Sequence, residues 1–363
     1  MKYRMTMLAV GVLAVTGAAQ AQAQASGPIQ IYGQVTAGVT YKDHQTGGTQ
    51  ITDVTNSQFA ASLLGLRGTE ALGGGMSAVF RLEHGINADT GAATSATKFW
   101  NRQSFVGLNL NPMMTVTVGR QFHAATDRAI QSLDVYNLGG TSLAVTPLAL
   151  FGVNKFVAND SRADDSVKLR LRGPSGLTAG VSAAANDGAG RSYSFDLAQV
   201  TPAYTVAGYA VKFESPTIAA NGTRPTHQVL GLGGNAPIGP VRAYVHIVAS
   251  QLDPSAVGRT VQKNKILVLG ANWQATPVTS VKASYTHDKG TAINGVAGRN
   301  GNKDTWVVSA EYFLSKRTSV NAGWFTNRFG DGYRLDPTNI AALGRDAAAS
   351  STSGYTAGIR HDF

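Results

Sequence analysis

The stretch "IQIYGQVTAGVTY", Ile29 to Tyr41, alternates between apolar and polar side chains along its length. One face would carry Ile29, Ile31, Val35, Ala37, Val39 and Tyr41, and the other Gln30, Gln34, Thr36 and Thr40. A period of two residues is that of a β-strand, whose successive side chains point to opposite sides. The stretch therefore predicts a strand with one apolar and one polar face.

The same alternation recurs along the chain. It is seen in "MSAVFRLEHGI" (76–86), "VKLRLR" (167–172), "VRAYVHI" (241–247) and "WVVSAEY" (306–312). The connectors are either short, such as "GPSG" and "LSKR", or long, at 43–57, 88–99, 122–163, 250–264, 289–303 and 328–353. Hairpins of roughly 42 residues give about sixteen strands, and short turns alternating with long loops are typical of outer-membrane barrels. We predict an all-β fold, a transmembrane antiparallel β-barrel of about sixteen strands with a long inward-folded loop.

Composition agrees with a barrel better than with a soluble β-sandwich. Charged residues make up 14% of the chain, against roughly 25% in soluble domains. There is no cysteine, so no disulfide framework is expected. Aromatic residues near strand ends suit the two interfaces of a membrane; they are Tyr41, Trp100, Tyr193, Phe195, Trp273, Tyr285, Trp306, Tyr312 and Trp324.

The first 25 residues have the pattern of a cleaved signal peptide. Lys2 and Arg4 precede an apolar run that is too short to span a membrane, and small residues follow it. Cleavage after Ala21, Ala23 or Ala25 fits, and the strand pattern that begins soon afterwards favours Ala25. We therefore predict export to the periplasm and integral insertion into the outer membrane of a Gram-negative cell, with residues 26–363 forming the barrel.

The chain ends on another alternating stretch, "YTAGIRHDF", Tyr355 to Phe363. In a closed barrel the last strand pairs with the first. Tyr355, Ala357, Ile359 and Phe363 would then face lipid, and the terminal ring would lie in an aromatic girdle. Phe363 is therefore a candidate residue for barrel closure.

Several stretches together resemble the general porins of β-proteobacteria, in the Gram-negative trimeric porin family. They include "LLGLRGTEALGGGMSAVFRLEHGIN", "FWNRQSFVGLNL", "DDSVKLR", "EYFLSKRTSVNAGW" and "AGIRHDF". The resemblance implies a trimer with a water-filled pore for small hydrophilic solutes and ions. No cofactor is predicted. It also implies that Phe363 belongs to a signal read by the outer-membrane assembly machinery, and that Arg120 serves the trimer interface.

The resemblance further implies that the 122–163 loop folds into the barrel and narrows it. Family members often carry a glutamate where this chain has Asn137, which leaves Asp127 and Asp134 as loop carboxylates. Family members also carry a ladder of basic residues opposite the loop, and Arg102 and Arg162 match two of its positions. Leu63 occupies a third ladder position. The strand alternation places Arg67 and Arg81 on the face that points into the lumen.

Strand parity gives the lumen an excess of positive charge. The predicted cations are Arg67, Arg81, Arg102, Lys168, Arg170, Arg172, Arg242 and Lys282, and the predicted carboxylates are Glu83, Asp196 and Glu311. Lys168, Arg170 and Arg172 form one basic strand face. Because arginine and lysine rings favour anions, we predict a modestly anion-selective diffusion pore.

Other functions are less well supported by the sequence. No G-x-S-x-G or His-Glu-x-x-His motif occurs, so an enzyme or a metal site is not predicted. Basic residues without interleaved aromatics do not favour nucleic acid. Two alternatives stay open, a substrate-specific anion channel and a plugged, non-conducting structural or adhesive barrel. Basic residues near the membrane surface could also contact lipopolysaccharide phosphates.

Overall fold

The computed structural model describes residues 29–136, 161–186, 190–219 and 221–363. These residues form one antiparallel sheet that closes on itself. Its strands are β1 (Gln30–Gln45), β2 (Thr49–Thr55), β3 (Ser62–Gly73), β4 (Met76–Ile86), β5 (Gln103–Asn111), β6 (Met114–Phe122), β7 (Arg162–Arg172), β8 (Leu177–Asn186), β9 (Gly190–Val200), β10 (Thr205–Glu214), β11 (Thr226–Ile238), β12 (Val241–Asp253), β13 (Gln262–Thr276), β14 (Thr279–Thr291), β15 (Gly301–Phe313), β16 (Thr318–Phe329) and β17 (Ser351–Asp362).

Strands β2 and β3 occupy a single position in the barrel wall. Strand β1 pairs with β2 over Gly38–Gln45 and with β3 over Gln30–Gln34. The other edge of β1 pairs with β17, which leaves no open edge. The wall therefore has sixteen positions, as predicted, and its second strand is interrupted between 56 and 61.

The alternation read in the sequence separates two faces of the wall. On β9, Tyr193, Phe195 and Leu197 are exposed, whereas Ser194 and Asp196 between them are buried. The outward face is apolar because it meets lipid, and the inward face carries most of the polar groups. The described helices are short: α1 (Ala124–Arg128), α2 (Asp331–Arg334) and α3 (Pro337–Leu343). None of them is long and apolar enough to cross a membrane.

The prediction of a loop over 43–57 was wrong for most of that range. Strand β1 continues to Gln45 and β2 begins at Thr49, so the two form a hairpin around a tight turn. Gly47 and Gly48 adopt φ angles of 79° and 72°, a conformation that glycine tolerates without strain. The Gly-Gly pair made the segment resemble a loop, while the flanking "TQITDVT" has ordinary strand composition.

The barrel closes at the C-terminus of the chain. Gly33 and Phe363 exchange backbone hydrogen bonds of 3.0 and 3.2 Å. A Cβ atom at Gly33 would lie 2.7 Å from the Phe363 ring, so the ring covers the glycine on the outer face. The terminal aromatic residue thus packs at the seam that closes the sheet, which is the position expected for it from parity.

The loop before β17 forms a small packed unit at the long-loop end. Tyr333 of α2 packs with Ile293 and Phe329, and its hydroxyl donates to Asp288 over 2.6 Å. Burial raises the pKa of the Tyr333 phenol. Arg345 is almost fully buried and donates to backbone carbonyls, including that of Tyr333 at 2.7 Å. These contacts hold the loop against the barrel rim.

Candidate functional site

The chain leaves β6 at Phe122 and turns into the barrel. We call residues 123–136 the inward segment; it consists of His123, α1, a π-helical turn (Ala129–Leu133) and the three residues that follow. Its apolar side contacts lumen-facing side chains of β9 to β13. This cluster comprises Ala125, Ala129, Ile130, Leu133, Ala198, Ala207, Tyr209, Val211, Phe213, Val229, Val248, Leu252, Ile266 and Val268. One part of the barrel interior is therefore a packed apolar core.

The polar side of the inward segment is held by ion pairs. Asp127 accepts hydrogen bonds from Lys168 at 2.6 Å and from Arg170 at 3.2 Å. Arg128 donates through Nε to Asp196 at 2.9 Å, and Arg170 reaches the same carboxylate at 2.6 Å. Asp196 has no exposed surface. Two guanidinium groups thus share one buried carboxylate beneath the inward segment.

The far end of the inward segment reaches the opposite wall. The Tyr136 hydroxyl donates to the backbone carbonyls of Lys282 at 3.3 Å and Val307 at 3.2 Å. Its backbone N–H donates to Asp134 over 2.9 Å. Burial raises the pKa of the Tyr136 phenol, so it stays a neutral donor at physiological pH. Because β14 and β15 lie across the barrel from β7, the segment crosses the lumen.

A second intrusion comes from the interruption between β2 and β3. Phe59 stacks on Tyr136, with ring centroids 5.6 Å apart and planes inclined by 22°. Ser57 donates to Asn321 at 3.2 Å, which holds this turn against β16. A Cβ atom at Gly323 would lie 2.5 Å from the Phe59 ring, so only glycine leaves room for it. This intrusion was not predicted from the sequence.

A cavity of about 640 Å³ remains on the other side of the inward segment. It extends toward the short turns and is lined by β1, β3 to β9 and the inward segment. Its basic lining residues are Arg67, Arg81, Arg128, Lys168, Arg170 and Arg172, and its carboxylate is Asp127. Glutamine, asparagine and threonine side chains supply much of the remaining polar lining. The cavity is therefore lined largely by polar side chains and carries an excess of positive charge.

The predicted residues Arg67 and Arg81 lie on adjacent strands of this cavity. They are direct cross-strand partners on β3 and β4. Arg67 donates to Gln30 at 3.0 Å and lies 4.7 Å from the centre of the Tyr32 ring. Arg81 lies 3.8 Å from Glu83, a distance that leaves a weak ion pair. The two guanidinium groups therefore contribute field to the cavity.

The two ladder positions carried over from the family lie at strand starts. Arg102 precedes β5, and its backbone N–H donates to the carbonyl of Glu83 at 3.1 Å. Arg162 begins β7, and its guanidinium lies 4.1 Å from the centre of the Phe122 ring. Neither residue lines the 640 Å³ cavity. Their part in a constriction stays a prediction, as do the contributions of residues 137–160, which lie outside the described residues.

Arg120 lies apart from the cavity. It donates through Nε to the carbonyl of Asn101 at 2.7 Å and through Nη1 to Asp164 at 2.6 Å. Lys98 pairs with the same carboxylate. Arg120 therefore fixes the end of the 88–99 connection to the start of β7, and its role at a trimer interface stays a prediction.

Some lumen cations among the described residues were not predicted from the sequence, including Arg128 and Arg360. Arg128 was read as part of the loop, although it ties the inward segment to Asp196. Arg360 of β17 lies 3.5 Å from Glu311 and 3.0 Å from Asp362. Its alternation with Ile359 was visible in the terminal stretch and could have placed it on the lumen side. Arg242 and Lys282 share the inward parity that was predicted, on β12 and β14.

We expect Phe59→Ala to loosen the end of the inward segment without unfolding the barrel. The substitution removes an aromatic stack that contributes about 0.5–1.5 kcal/mol beyond the free energy of burying the ring surface. Planar-bilayer recordings should show more frequent conductance fluctuations than the wild type. Phe99→Ala, a change of the same size at an exposed connection, is the control. Equal noise in both variants would mean that Phe59 does not restrain the segment.

Comparisons with known proteins place the chain among channel-forming barrels. The family model described as Gram-negative porin matches residues 6–332. Outer membrane porin protein 32 of Delftia acidovorans is 26% identical over 381 residues, which cover 99% of each chain. Major outer membrane protein P.IB of Neisseria meningitidis is 28% identical over 325 residues, covering 84% of this chain and 89% of its own.

Solved structures show the same fold. An anion-selective porin from Comamonas acidovorans superposes with a TM-score of 0.78 at 21% identity, covering 93% of this chain and all of that one. The trimer form of OmpT from Vibrio cholerae superposes with a TM-score of 0.69 at 14% identity, over 93% of this chain and all of its own.

Proposed function

Because this chain belongs to the Gram-negative porin family, we propose that its outer-membrane channel conducts anions more readily than cations. The observation that carries the proposal is the cavity beside the inward segment, with six basic lining residues and one carboxylate. A narrow passage with low-dielectric walls concentrates counter-ions of the sign opposite to its own. An excess of arginine and lysine therefore favours anions.

The basic residues divide into two groups with different tasks. Arg128, Lys168 and Arg170 are neutralised in part by Asp127 and Asp196, and their ion pairs hold the inward segment in place. Arg67, Arg81 and Arg172 are more exposed to the cavity, so their charges act on passing ions. The net field therefore comes mainly from the second group.

We propose that the narrowest part of the channel lies between the inward segment and the wall formed by β3 to β7. Arg67, Arg81, Arg102 and Arg162 would supply the basic side, and Asp127 and Asp134 the acidic side. The contacts of Asp127 with β7 support this arrangement, because they fix a carboxylate next to the basic strand face. Opposed charges across a narrow lumen would set a transverse field that orients dipolar solutes.

A plugged barrel is the main competing function, because the inward segment packs on the wall through a continuous apolar cluster. Single-channel recording of the purified protein in a planar bilayer separates the two. We expect stable ohmic steps in potassium chloride, carried by the cavity that the segment leaves unfilled. The absence of steps from protein that is heat-modifiable, and hence folded, would support the plugged barrel.

A substrate-specific anion channel is favoured by one further observation. Lys168, Arg170 and Arg172 line the cavity together with several amide side chains, a combination that suits a multivalent anion. Titrating a multivalent anion such as citrate should then reduce chloride current with saturation at low concentration. A general pore would show only the weak dependence expected from screening.

We also propose that the protein is a homotrimer exported by the signal peptide at 1–25, which lies outside the described residues. The structure of OmpT in its trimer form supports the homotrimer, since the two barrels superpose over 93% of this chain. Native mass spectrometry of detergent-extracted protein checks both points. It should give three copies of a chain that begins at Ser26.

A further inference from the structure

The outer faces of β13 and β14 change character from one end to the other. Alternation with the buried residues Ile266 and Val268 places Lys265, Leu267, Leu269 and Trp273 on the outside of β13. Their cross-strand partners on β14 are Lys289, His287, Tyr285 and Val281. The apolar pairs suit the lipid interior. The lysine pair lies beyond them, at the end where long connections join the strands.

Lys265 and Lys289 form a cross-strand pair of like charge. Their backbones are direct register partners, and both side chains are exposed. Like charges directly opposite in a sheet are destabilising. Lys263, also exposed, lies one outward position further along β13. Within the described parts of the chain, no carboxylate lies within ion-pair distance of these three ammonium groups.

Two acidic groups on the neighbouring strands, Asp304 of β15 and Asp253 of β12, are held by other partners. Asp304 accepts hydrogen bonds from Tyr285 at 2.6 Å and from His287 at 2.8 Å. Asp253, at the end of β12, accepts from the backbone of Ser255 at 2.8 Å. These two carboxylates therefore do not balance the positive charge of Lys265 and Lys289.

The depth of the pair in the membrane follows from the aromatic residues below it. Tyr285 packs against Trp306 part-way up the wall, with ring centroids 4.2 Å apart, whereas Trp273 has the place of an aromatic residue at the membrane interface. Lys265 is eight residues from Trp273, which lies near the short-turn end. At about 3.3 Å per residue and a tilt of roughly 40°, this separation spans about 20 Å of depth. This is a few ångströms short of the ~25 Å apolar band of such barrels, and the flexible lysine side chains can carry their ammonium groups across that remainder to the headgroups of the outer leaflet.

We propose that Lys265 and Lys289 bind a phosphate group of an outer-leaflet glycolipid, in lipopolysaccharide. Its phosphates lie where acyl chains meet the sugar headgroup, so the acyl chains would contact Leu267 and Leu269 while the phosphate meets the lysines. Two ammonium groups on adjacent strands suit one dianionic phosphate, which relieves their mutual repulsion. Lys212 is a weaker candidate, because Glu214 already pairs with it at 2.7 Å.

The test measures lipid binding by the reconstituted wild-type protein and a variant with both Lys265→Gln and Lys289→Gln. The probe is bisphosphorylated lipid A at low mole fraction in phosphatidylcholine vesicles, with fully dephosphorylated lipid A as its matched lipid. A variant with Lys316→Gln and Arg317→Gln removes two exposed charges from a short turn at the other end of the barrel. A variant with Lys265→Arg and Lys289→Arg keeps both charges at the site.

We expect the double glutamine variant to bind bisphosphorylated lipid A roughly 25-fold more weakly, about five-fold for each lysine near a membrane surface. The arginine variant and the short-turn variant should bind as the wild type does, and all should ignore the dephosphorylated lipid. Equal binding by the glutamine variant and the short-turn variant would overturn the proposal. Competition by millimolar inorganic phosphate would also overturn it, since the site would then recognise free phosphate. The readout does not depend on ion conduction.

Discussion

Asp196→Leu should release the inward segment and raise single-channel conductance while the barrel stays folded. Asp196 has no exposed surface and binds two guanidinium groups, those of Arg128 and Arg170. Its removal leaves the buried guanidinium of Arg128 without a carboxylate, close to the half-buried guanidinium of Arg170. Breaking a buried ion pair from one side costs about 3–5 kcal/mol. This loss of free energy weakens the docking of the inward segment on the wall. The wall itself stays intact, because β9 pairs with its neighbours through backbone groups.

The matched control removes the opposite charge at the same time. In a variant with Asp196→Leu and Arg128→Leu, Arg170 retains its contact with Asp127 at 3.2 Å. No guanidinium group is then left buried without a carboxylate. An apolar replacement of a buried pair is often neutral, so this variant should conduct almost as the wild type does. If both variants conducted alike, the buried charge would not be what holds the segment. Limited proteolysis of the intact protein reports release independently of current.

Gly33→Ala should destabilise the barrel by about 1–3 kcal/mol, the range found for overpacked sites. An added Cβ would clash with the backbone carbonyl of Leu63 and would lie 2.7 Å from the Phe363 ring. The backbone clash cannot be relieved by a rotamer change, so β3 or β17 must move at the closing seam. Urea unfolding of the protein in lipid vesicles should show a lower midpoint with an unchanged slope.

Gly208→Ala is the corresponding control on an outward position of β10. A Cβ there meets only Leu232 and Gly231, at 3.6 and 3.7 Å, which are ordinary contacts. Both changes add one methyl group to a strand glycine on the lipid side. Identical midpoints for the two variants would show that the seam at Phe363 tolerates additional volume and is not closely packed.

Period-two alternation was sufficient to predict the barrel because lipid and water lie on opposite sides of most strands. The terminal stretch shows this clearly, since Tyr355 and Ile359 are exposed and Thr356 is buried. The local signal failed where glycine imitates a loop, as at Gly47, and where a strand is interrupted, as before Ser62. Both features depend on pairing with β1, which local composition does not reveal.

The site was less predictable than the wall because its contacts join distant parts of the chain. Arg128 and Asp196 are 68 residues apart, and Phe59 meets Tyr136 across the lumen. One usable signal was present in β13, where "ILVLGANW" (266–273) is apolar on both faces. A strand that is apolar on both faces is covered on both sides. In this barrel, the inward cover is the inward segment.

The most direct test of the anion-preferring channel is its reversal potential in a planar bilayer under a tenfold potassium chloride gradient. The reversal potential of the wild type should have the same sign as the equilibrium potential of chloride. The preference should shrink in a variant with Arg67→Gln and Arg81→Gln but persist in one with Lys316→Gln and Arg317→Gln, which lies at a short turn. A wild-type reversal potential with the sign of the potassium equilibrium potential would contradict the account. Carboxylates such as Asp127 and Asp134 would then determine the electrostatic field in the channel.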